Sequence, residues 1–101
     1  MRRAAKRDAN EPEIVAALRA AGYWVAQISH KGFPDLVVGR KGRSFVCLME
    51  VKDGNGDLTD DQLKFFQMTE GSARFVVRSP ESALRIASTW IGGNTDGGSD
   101  D

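Results

Sequence analysis

Three charged residues at the ends of two predicted strands have the types and the spacing for phosphodiester chemistry. Asp35 opens a short apolar run, and Glu50 and Lys52 stand on either side of Val51 in the next one. Alternate side chains of a strand point to the same face, so Glu50 and Lys52 leave the sheet side by side. The turn at residues 39–42 sends the chain back antiparallel, which brings Asp35 within about two residues of Glu50 in register.

Two carboxylates and one ammonium group at one strand end form an oxygen-rich site that suits a hard divalent cation. A metal ion together with a lysine is one means of hydrolysing a phosphodiester bond. Glu50 is the most informative of the three, because it interrupts an apolar strand, where a carboxylate is costly unless it is paired or metal-bound. A plain ion pair between Glu50 and Lys52 is the alternative, and an aspartate such as Asp35 is also common in turns.

The order of these residues resembles the signature of the PD-(D/E)XK nuclease superfamily, Pro34-Asp35 followed by Glu50-x-Lys52. A longer frame is also present, and it consists of an acidic helix start, Gly32-x-Pro34-Asp35-Leu36, Glu50-Val51-Lys52 and Leu58-Thr59-x-x-Gln62. That frame is similar to the small VRR-NUC nucleases and, more loosely, to archaeal-type Holliday junction resolvases. It covers roughly residues 11–67 and is more specific than the short motif, which recurs by chance.

The resemblance implies a Mg²⁺-dependent DNA endonuclease, with Mn²⁺ as a substitute metal and no small-molecule cofactor. The metal ligands would be Asp35, Glu50 and the main-chain carbonyl of Val51. Lys52 would orient or deprotonate the attacking water. Gln62 occupies the position of a glutamine near the active site in the VRR-NUC pattern, although its place in a helix-capping box explains it equally well without a catalytic role.

Glu11 and Glu13 compete for the role of an additional acid on the first helix. Glu11 lies on the inward stripe of Ile14 and Leu18, at i+3 and i+7, and therefore points towards the sheet. Glu13 is rotated by about 200° from Glu11 and suits the third position of a capping box that begins at Asn10. We favour Glu11 as a direct or water-bridged metal ligand, as the resolvase-like pattern also implies.

Hydrophobic periodicity and turn residues predict the element order α-β-β-β-α-β-α. This is an α/β fold with a small mixed sheet flanked by helices, and the resemblance implies the same restriction-endonuclease-like core. The helices are expected at about residues 11–21, from Thr59 onwards and at 80–91, and the strands at about 23–28, 35–38, 43–52 and 73–78. Leu63, Phe66 and Met68 are expected to face the core from the second helix.

Length and composition predict one globular domain, because 101 residues that are 41% apolar and 28% charged suffice for one core. We expect a flexible basic arm at residues 1–9, a nuclease domain at 10–91 and a disordered acidic, glycine-rich tail at 92–101. We expect no membrane span, because no apolar run is long enough, and no secretory signal, because the basic N-terminal residues are not followed by an apolar stretch. A single cysteine favours a reducing compartment, so we expect a cytoplasmic location.

The formal net charge of zero hides a basic body. All 14 basic residues precede residue 92 together with only 11 of the 14 acidic ones, which leaves +3 on that part of the chain. Basic side chains around an acidic pocket suit a phosphate backbone, although such residues are also common on any solvated surface. The candidate DNA-binding residues cluster at the N-terminus or flank the proposed site: Arg2, Arg3, Lys6, Arg7, Lys31, Arg40, Lys41 and Arg43.

Four other residues have simpler interpretations. Cys47 lies within the strand that carries Glu50 but faces the other way, as a buried structural thiol would. His30 is expected to be a solvent-exposed loop residue. Trp24 and Trp90 are expected to be core or interface aromatics rather than platforms for base stacking.

The expected substrate is branched DNA, cleaved by a homodimer. We expect a chain of this length to read the DNA backbone and shape rather than the base sequence, because it has no room for a separate reading domain. Cleavage of a four-way junction needs two active sites on one substrate, which a twofold dimer provides. Flap cleavage is equally expected, and a restriction-type nuclease, a general repair nuclease and a catalytically inert DNA-binding module of the same fold are the alternatives.

Overall fold

Residues 7–92 are described by the computed structural model, and they form three α-helices and a four-stranded sheet. Along the chain these are α1 (Glu11–Ala20), β1 (Trp24–Gln27), β2 (Leu36–Gly39), β3 (Cys47–Val51), α2 (Asp60–Met68), β4 (Arg74–Val77) and α3 (Pro80–Ala87), followed by a π-helical turn (Ser88–Gly92). This order confirms the predicted α/β fold. None of the described helices is long and apolar enough to cross a membrane. Most of the predicted arm and tail, at 1–6 and 93–101, lies outside the described residues.

The four strands have the spatial order β1-β2-β3-β4. β1 pairs antiparallel with β2, and β2 pairs antiparallel with β3, whereas β3 and β4 pair parallel. A parallel pair needs a crossover connection, and α2 lies in the segment that provides it. Leu36 of β2 pairs with Met49 of β3, so the strand ends that carry Asp35 and Glu50 lie side by side.

One face of the sheet, packed under α1 and α3, holds the apolar core. Ile14 and Leu18 of α1 are four residues apart and fully buried, as are Ala83 and Ala87 of α3. Cys47 belongs to the same core, as predicted, and its burial raises the pKa of the thiol to about 11. The sheet contributes every second strand residue to this core: Val25, Leu36, Val38, Cys47, Met49, Val51 and Val77.

Helix α2 does not belong to this core, which corrects the prediction that Leu63, Phe66 and Met68 face inwards. Leu63 is 46% exposed and Met68 is 77% exposed, and no residue of α2 is fully buried. The helix does begin at the predicted capping box of Thr59 and Gln62. Its apolar side contacts the loop before β2 and a charged guanidinium group. The pattern of apolar residues therefore predicts the helix correctly but not the part of the protein against which it packs.

Several elements are shorter than the sequence predicted. β3 begins at Cys47 rather than at residue 43, because the pairing of β2 with β3 ends at Val38 and Cys47 and β2 itself ends at Gly39. The last α-helix ends at Ala87, and the chain continues to Gly92 as a π-helical turn instead of α-helix. At the first helix, by contrast, Ala20 is the last helical residue, within one residue of the predicted end.

Candidate active site

Asp35 and Glu50 meet where β2 begins and β3 ends. The main-chain N–H of Val51 donates a 2.8 Å hydrogen bond to Asp35 Oδ2, which fixes this carboxylate against the end of β3. Lys52 lies on the same face as Glu50, with 3.8 Å between its Nζ and Glu50 Oε2. The structure therefore brings together the three charged groups that alternation and the hairpin register predict to be neighbours.

Glu50 is a buried carboxylate that is only half satisfied. Gln62 Nε2 donates a 2.8 Å hydrogen bond to Glu50 Oε2, whereas Oε1 has no hydrogen-bond partner among residues 7–92. Burial, followed by the charge of Asp35 and a hydrogen bond with it, raises the pKa of Glu50 to about 8, and Lys52 opposes this only in part. A cation at Oε1 would supply the missing partner and favour the ionised carboxylate.

Glu11, not Glu13, is the acid that α1 turns towards the sheet. Glu11 is 1% exposed, while Glu13 is exposed to solvent. Gln27 Nε2 donates a 2.9 Å hydrogen bond to Glu11 Oε2, and Oε1 has no partner within the described part of the chain. Burial raises the pKa of Glu11, although the hydrogen bond from Gln27 and the charge of Arg7 lower it. The helical periodicity thus predicts the correct face, and a role in the site stays a prediction.

Arg7 lies between two of these carboxylates. Its Nε is 3.4 Å from Glu11 Oε2, and its Nη1 is 3.8 Å from Asp35 Oδ1. Its Nη2 donates a 3.0 Å hydrogen bond to the carbonyl of Ile28. The sequence predicts Arg7 to be a DNA-binding residue of a basic arm. The structure places its guanidinium group beside these carboxylates, and contact with DNA stays a prediction. The other predicted residues of that arm lie outside the described residues: Arg2, Arg3 and Lys6.

Asn10 has a role that the sequence did not predict. Its Nδ2 donates to the carbonyl of Lys52 at 3.1 Å and to the carbonyl of Arg78 at 3.0 Å. These bonds tie the start of α1 to the ends of β3 and β4, beside the carboxylates. The predicted capping box with Glu13 is not formed, because Asn10 makes no side-chain capping bond and has helical backbone angles, φ −86° and ψ −4°.

The basic residues predicted to flank the site are only partly near it. Lys31 lies on the loop before β2, with its Nζ 3.4 Å from Asp61 Oδ2. Arg40, Lys41 and Arg43 lie in the turn between β2 and β3, at the opposite end of the hairpin from the carboxylates, which corrects their expected placement. The reason is that the carboxylates precede β2 and end β3, whereas the turn joins the other two strand ends. Contact with DNA stays a prediction for all four residues.

The aromatic residues outside the core differ from expectation in one respect. Trp24 and Trp90 are 63% and 52% exposed, so neither is a core residue. The ring of Trp90 lies 5.4 Å from that of Phe75, centroid to centroid. A role of the tryptophans in an interface stays a prediction. His30 is exposed on its loop, as predicted.

Comparison with known families adds an independent observation. The profile of the VRR-NUC domain matches residues 4–79, which is more than half of the chain. The chain belongs to the VRR-NUC family. The VRR-NUC domain is part of the PD-(D/E)XK-like nuclease superfamily, so the match confirms the predicted family and supports a nuclease. No curated protein and no solved structure matches the chain.

The carboxylates of this VRR-NUC domain fit a divalent cation, which PD-(D/E)XK-like nucleases usually use. The unpartnered Oε1 atoms of Glu11 and Glu50 are buried oxygen donors, the type that hard cations prefer. The N–H and C=O of one strand residue point to the same side, so the carbonyl of Val51 is on the side of Asp35. Residues 7–92 contain no group of three acidic, His or Cys side chains already placed as ligands. A bound ion would therefore replace contacts such as those of Arg7.

Proposed function

We propose that this VRR-NUC domain is a metal-dependent DNA endonuclease that uses Mg²⁺, with Mn²⁺ as a substitute. The observation that supports this most strongly is Glu50, which is buried beside Asp35 with a raised pKa and an unpartnered oxygen. In a simple ion pair, Lys52 would outweigh the cost of burial and lower the pKa of Glu50. Here burial and Asp35 outweigh Lys52. The site therefore lacks positive charge, which a bound cation would provide.

Each residue of the site has a role suited to its chemistry. Asp35, Glu50 and the carbonyl of Val51 would hold the metal, with Glu11 as a direct or water-bridged ligand. Bound Mg²⁺ supplies positive charge to the scissile phosphate and lowers the pKa of water. Lys52, on the same face as Glu50, would orient or deprotonate the attacking water and offset the negative charge of the transition state.

Two further residues would act by positioning. Gln62 holds one oxygen of Glu50 through its 2.8 Å hydrogen bond, which leaves the other oxygen for the metal. Asn10 holds the carbonyl of Lys52, and since it immediately precedes Glu11, it fixes the start of α1 beside β3. Rigid support of this kind determines how well ligands are oriented around a metal.

The proposed substrate is branched DNA, either a Holliday junction or a flap, and the proposed assembly is a twofold homodimer. The described secondary structure forms one core and one candidate site, so contacts to backbone and shape are favoured over base reading. Trp24 and Val46 are exposed and lie beside the same residue, Gly39. Exposed apolar side chains of this kind would be buried in a dimer, which would also supply a second active site.

The decisive experiment compares four DNA substrates of shared sequence: a four-way junction, a flap, a single strand and a duplex. We expect cleavage with Mg²⁺ or Mn²⁺, none in EDTA, and the fastest rate on a branched substrate. Absence of cleavage of every substrate with both metals would contradict the proposed function. Fastest cleavage of plain duplex would retain the nuclease and replace the proposed substrate by that of a restriction-type or general repair enzyme.

Light scattering tests the proposed assembly. We expect a mass of about twice 11.0 kDa at concentrations well above those of the cleavage assay. A chain that ends at residue 93 should also be a dimer and should cleave as well as the full chain, since the tail has almost no apolar side chains to bury. A mass near 11 kDa, with junctions still resolved symmetrically, would contradict the dimer.

A further inference from the structure

We propose that an open groove between the loop before β2 and helix α2 binds one unpaired nucleotide of the DNA substrate, next to the scissile phosphate. This inference rests on the proposed function and makes its substrate more specific, because an unpaired base must be available beside the cleavage site. The groove has a volume of about 430 Å³, and it is lined by the loop residues 30–33 and by one side of α2. Its size falls within the usual range for pockets that hold small ligands.

The loop before β2 approaches α2 closely at Gly32, which lines the groove. Gly32 has a φ of +80°, which favours glycine, and a Cβ at this position would lie 3.0 Å from the Cβ of Asp61. Any other residue would therefore push the loop away from α2 or fill the space between them. Glycine at position 32 therefore permits the close approach of the loop to α2 within the lining of the groove.

The groove offers aromatic and apolar surface to a base. Phe33 of the loop and Phe65 of α2 meet edge to face, with 5.2 Å between the ring centroids, and both are only half-buried. Met68, one helical turn along α2, is 77% exposed and lines the same groove. Aromatic rings stack with the faces of unpaired bases without sequence preference, whereas the bases of a duplex are already stacked on one another. The chemistry of this surface therefore favours a single-stranded segment.

Two lysines give the groove the charge that a sugar-phosphate backbone requires. Lys64 is exposed on α2 and forms no salt bridge within residues 7–92. Lys31 is paired with Asp61, but both side chains are largely exposed, so this ion pair is weak and a phosphate can compete for the lysine. Aromatic surface beside basic side chains is the combination that proteins use to bind single-stranded nucleic acid.

Both walls of the groove also carry groups of the candidate active site. Phe33 is two residues before Asp35, a distance of at most about 7 Å along the chain. On the other wall, Gln62 of α2 donates its hydrogen bond to Glu50. A nucleotide in the groove would therefore lie beside the phosphate that the carboxylates face. This continuity distinguishes the groove from an unrelated surface depression.

A pair of adjacent phenylalanines provides a matched test. Phe65 lines the groove, whereas Phe66 lies under the guanidinium group of Arg74, 4.9 Å from its ring centroid, and does not line the groove. Binding of the full chain to fluorescent hexathymidylate and to a 12-base-pair duplex is measured by anisotropy in EDTA, which prevents cleavage. We expect Phe65→Leu to weaken hexathymidylate binding about five- to tenfold and duplex binding less than twofold, and Phe66→Leu to change each less than twofold. Equal effects of the two substitutions on hexathymidylate, or no effect, would overturn the proposal.

A second pair of variants removes charges from exposed side chains, where substitution has little effect on folding. Lys64 is exposed beside the groove, and Arg85 is exposed on α3, on the other face of the sheet. Lys64→Ala should weaken hexathymidylate binding about threefold, and Arg85→Ala less than 1.5-fold. Equal losses of hexathymidylate affinity in the two variants would mean that any surface charge contributes to binding, and would overturn the proposal that the groove binds the nucleotide.

Cleavage in Mg²⁺ by the same proteins separates this inference from the proposed function. Binding that depends on Phe65, with no cleavage of any DNA, would support nucleotide binding in the groove and contradict the proposed nuclease function. Metal-dependent cleavage, with equal binding of hexathymidylate by Phe65→Leu and Phe66→Leu, would support the nuclease function and contradict nucleotide binding in the groove. The inference is supported in full when Phe65→Leu also lowers the cleavage rate of flap DNA more than Phe66→Leu does.

Discussion

The two faces of the sheet differ in how they are covered, and this difference separates stability from chemistry. Under α1 and α3 the face is closed, with apolar residues such as Leu18 and Met49 fully buried. Towards α2 the face is open, since Leu63 is 46% exposed and the helix buries no residue completely. Alternation along β3 lets one strand serve both faces, because Met49 points to the core while Glu50 and Lys52 point the other way. Changes on the two faces should therefore have separable effects.

The largest effect is expected from removal of a site carboxylate. Asp35→Ala or Glu50→Ala should lower the cleavage rate by about 1000-fold or more, because each removes a ligand for the charge that stabilises the transition state. DNA binding in EDTA should stay within about threefold of the unaltered protein, because carboxylates do not attract phosphate. Single-turnover cleavage and fluorescence anisotropy measure the two quantities. Glu13→Ala, which removes an exposed carboxylate from α1, is the control, and a variant of Asp35 or Glu50 with most of its turnover would show that the site is misassigned.

Truncation of a leucine to alanine should lower the stability much more on the closed face of the sheet than on the open face. Leu18→Ala leaves a cavity in the closed core and should lower the free energy of unfolding by about 2–5 kcal/mol. Leu63→Ala removes a side chain that is already half-exposed and should cost less than about 1 kcal/mol. Urea denaturation of both variants measures the difference. Similar losses would mean that α2 contributes as much to the fold as α1 does.

The two acids of α1 provide a comparison within one helix. Glu11→Gln should lower activity by about 10- to 100-fold, since it weakens a group that orients or holds the metal. Its stability should be unchanged or higher, because burial already raises the pKa of Glu11 and a neutral side chain avoids that cost. Glu13→Gln should leave the cleavage rate nearly intact. Measured rates in the reverse order would show that the other face of the helix serves the site.

Contacts in this protein are predicted from the sequence when the two residues are close along the chain, and they are missed when the residues are far apart along it. Asp35, Glu50 and Lys52 lie in one hairpin, where register and alternation follow from local rules, and their meeting is predicted correctly. The orientation of Glu11 follows from helical periodicity in the same way. Local rules also predict the capping box of Thr59, because its partner is only three residues away.

The residues that surround the site were missed for the opposite reason. Arg7 contacts Ile28 across 21 residues, and Asn10 contacts Arg78 across 68. Each also has a common alternative role, in a basic arm or at a helix start, which the sequence makes the more obvious choice. The environment of α2 was missed because an apolar stripe indicates that a helix is covered on one side but not what covers it.

The smallest expected effect is a dependence of stability on pH that arises on the open face. The pKa of Glu50 is raised from 4.5 to about 8, so between these pH values the folded protein holds a proton that the unfolded chain has released. The free energy of unfolding of metal-free protein should therefore fall as the pH rises from about 5 to about 8. Urea denaturation in EDTA at a series of pH values measures this slope.

Two controls assign the slope to Glu50. Glu50→Gln keeps the size of the side chain and removes the titrating group, so its stability should change less over the same pH range. Saturating Mg²⁺ should flatten the slope of the unaltered protein as well, because a bound cation favours the ionised carboxylate and brings its pKa down. Among residues 7–92, Glu11 is the second buried carboxyl with a raised pKa. If the slope persists in Glu50→Gln and disappears in Glu11→Gln, the titrating carboxyl is Glu11. The cation would then be expected to bind first to Glu11, at the start of α1, rather than to Glu50 on β3.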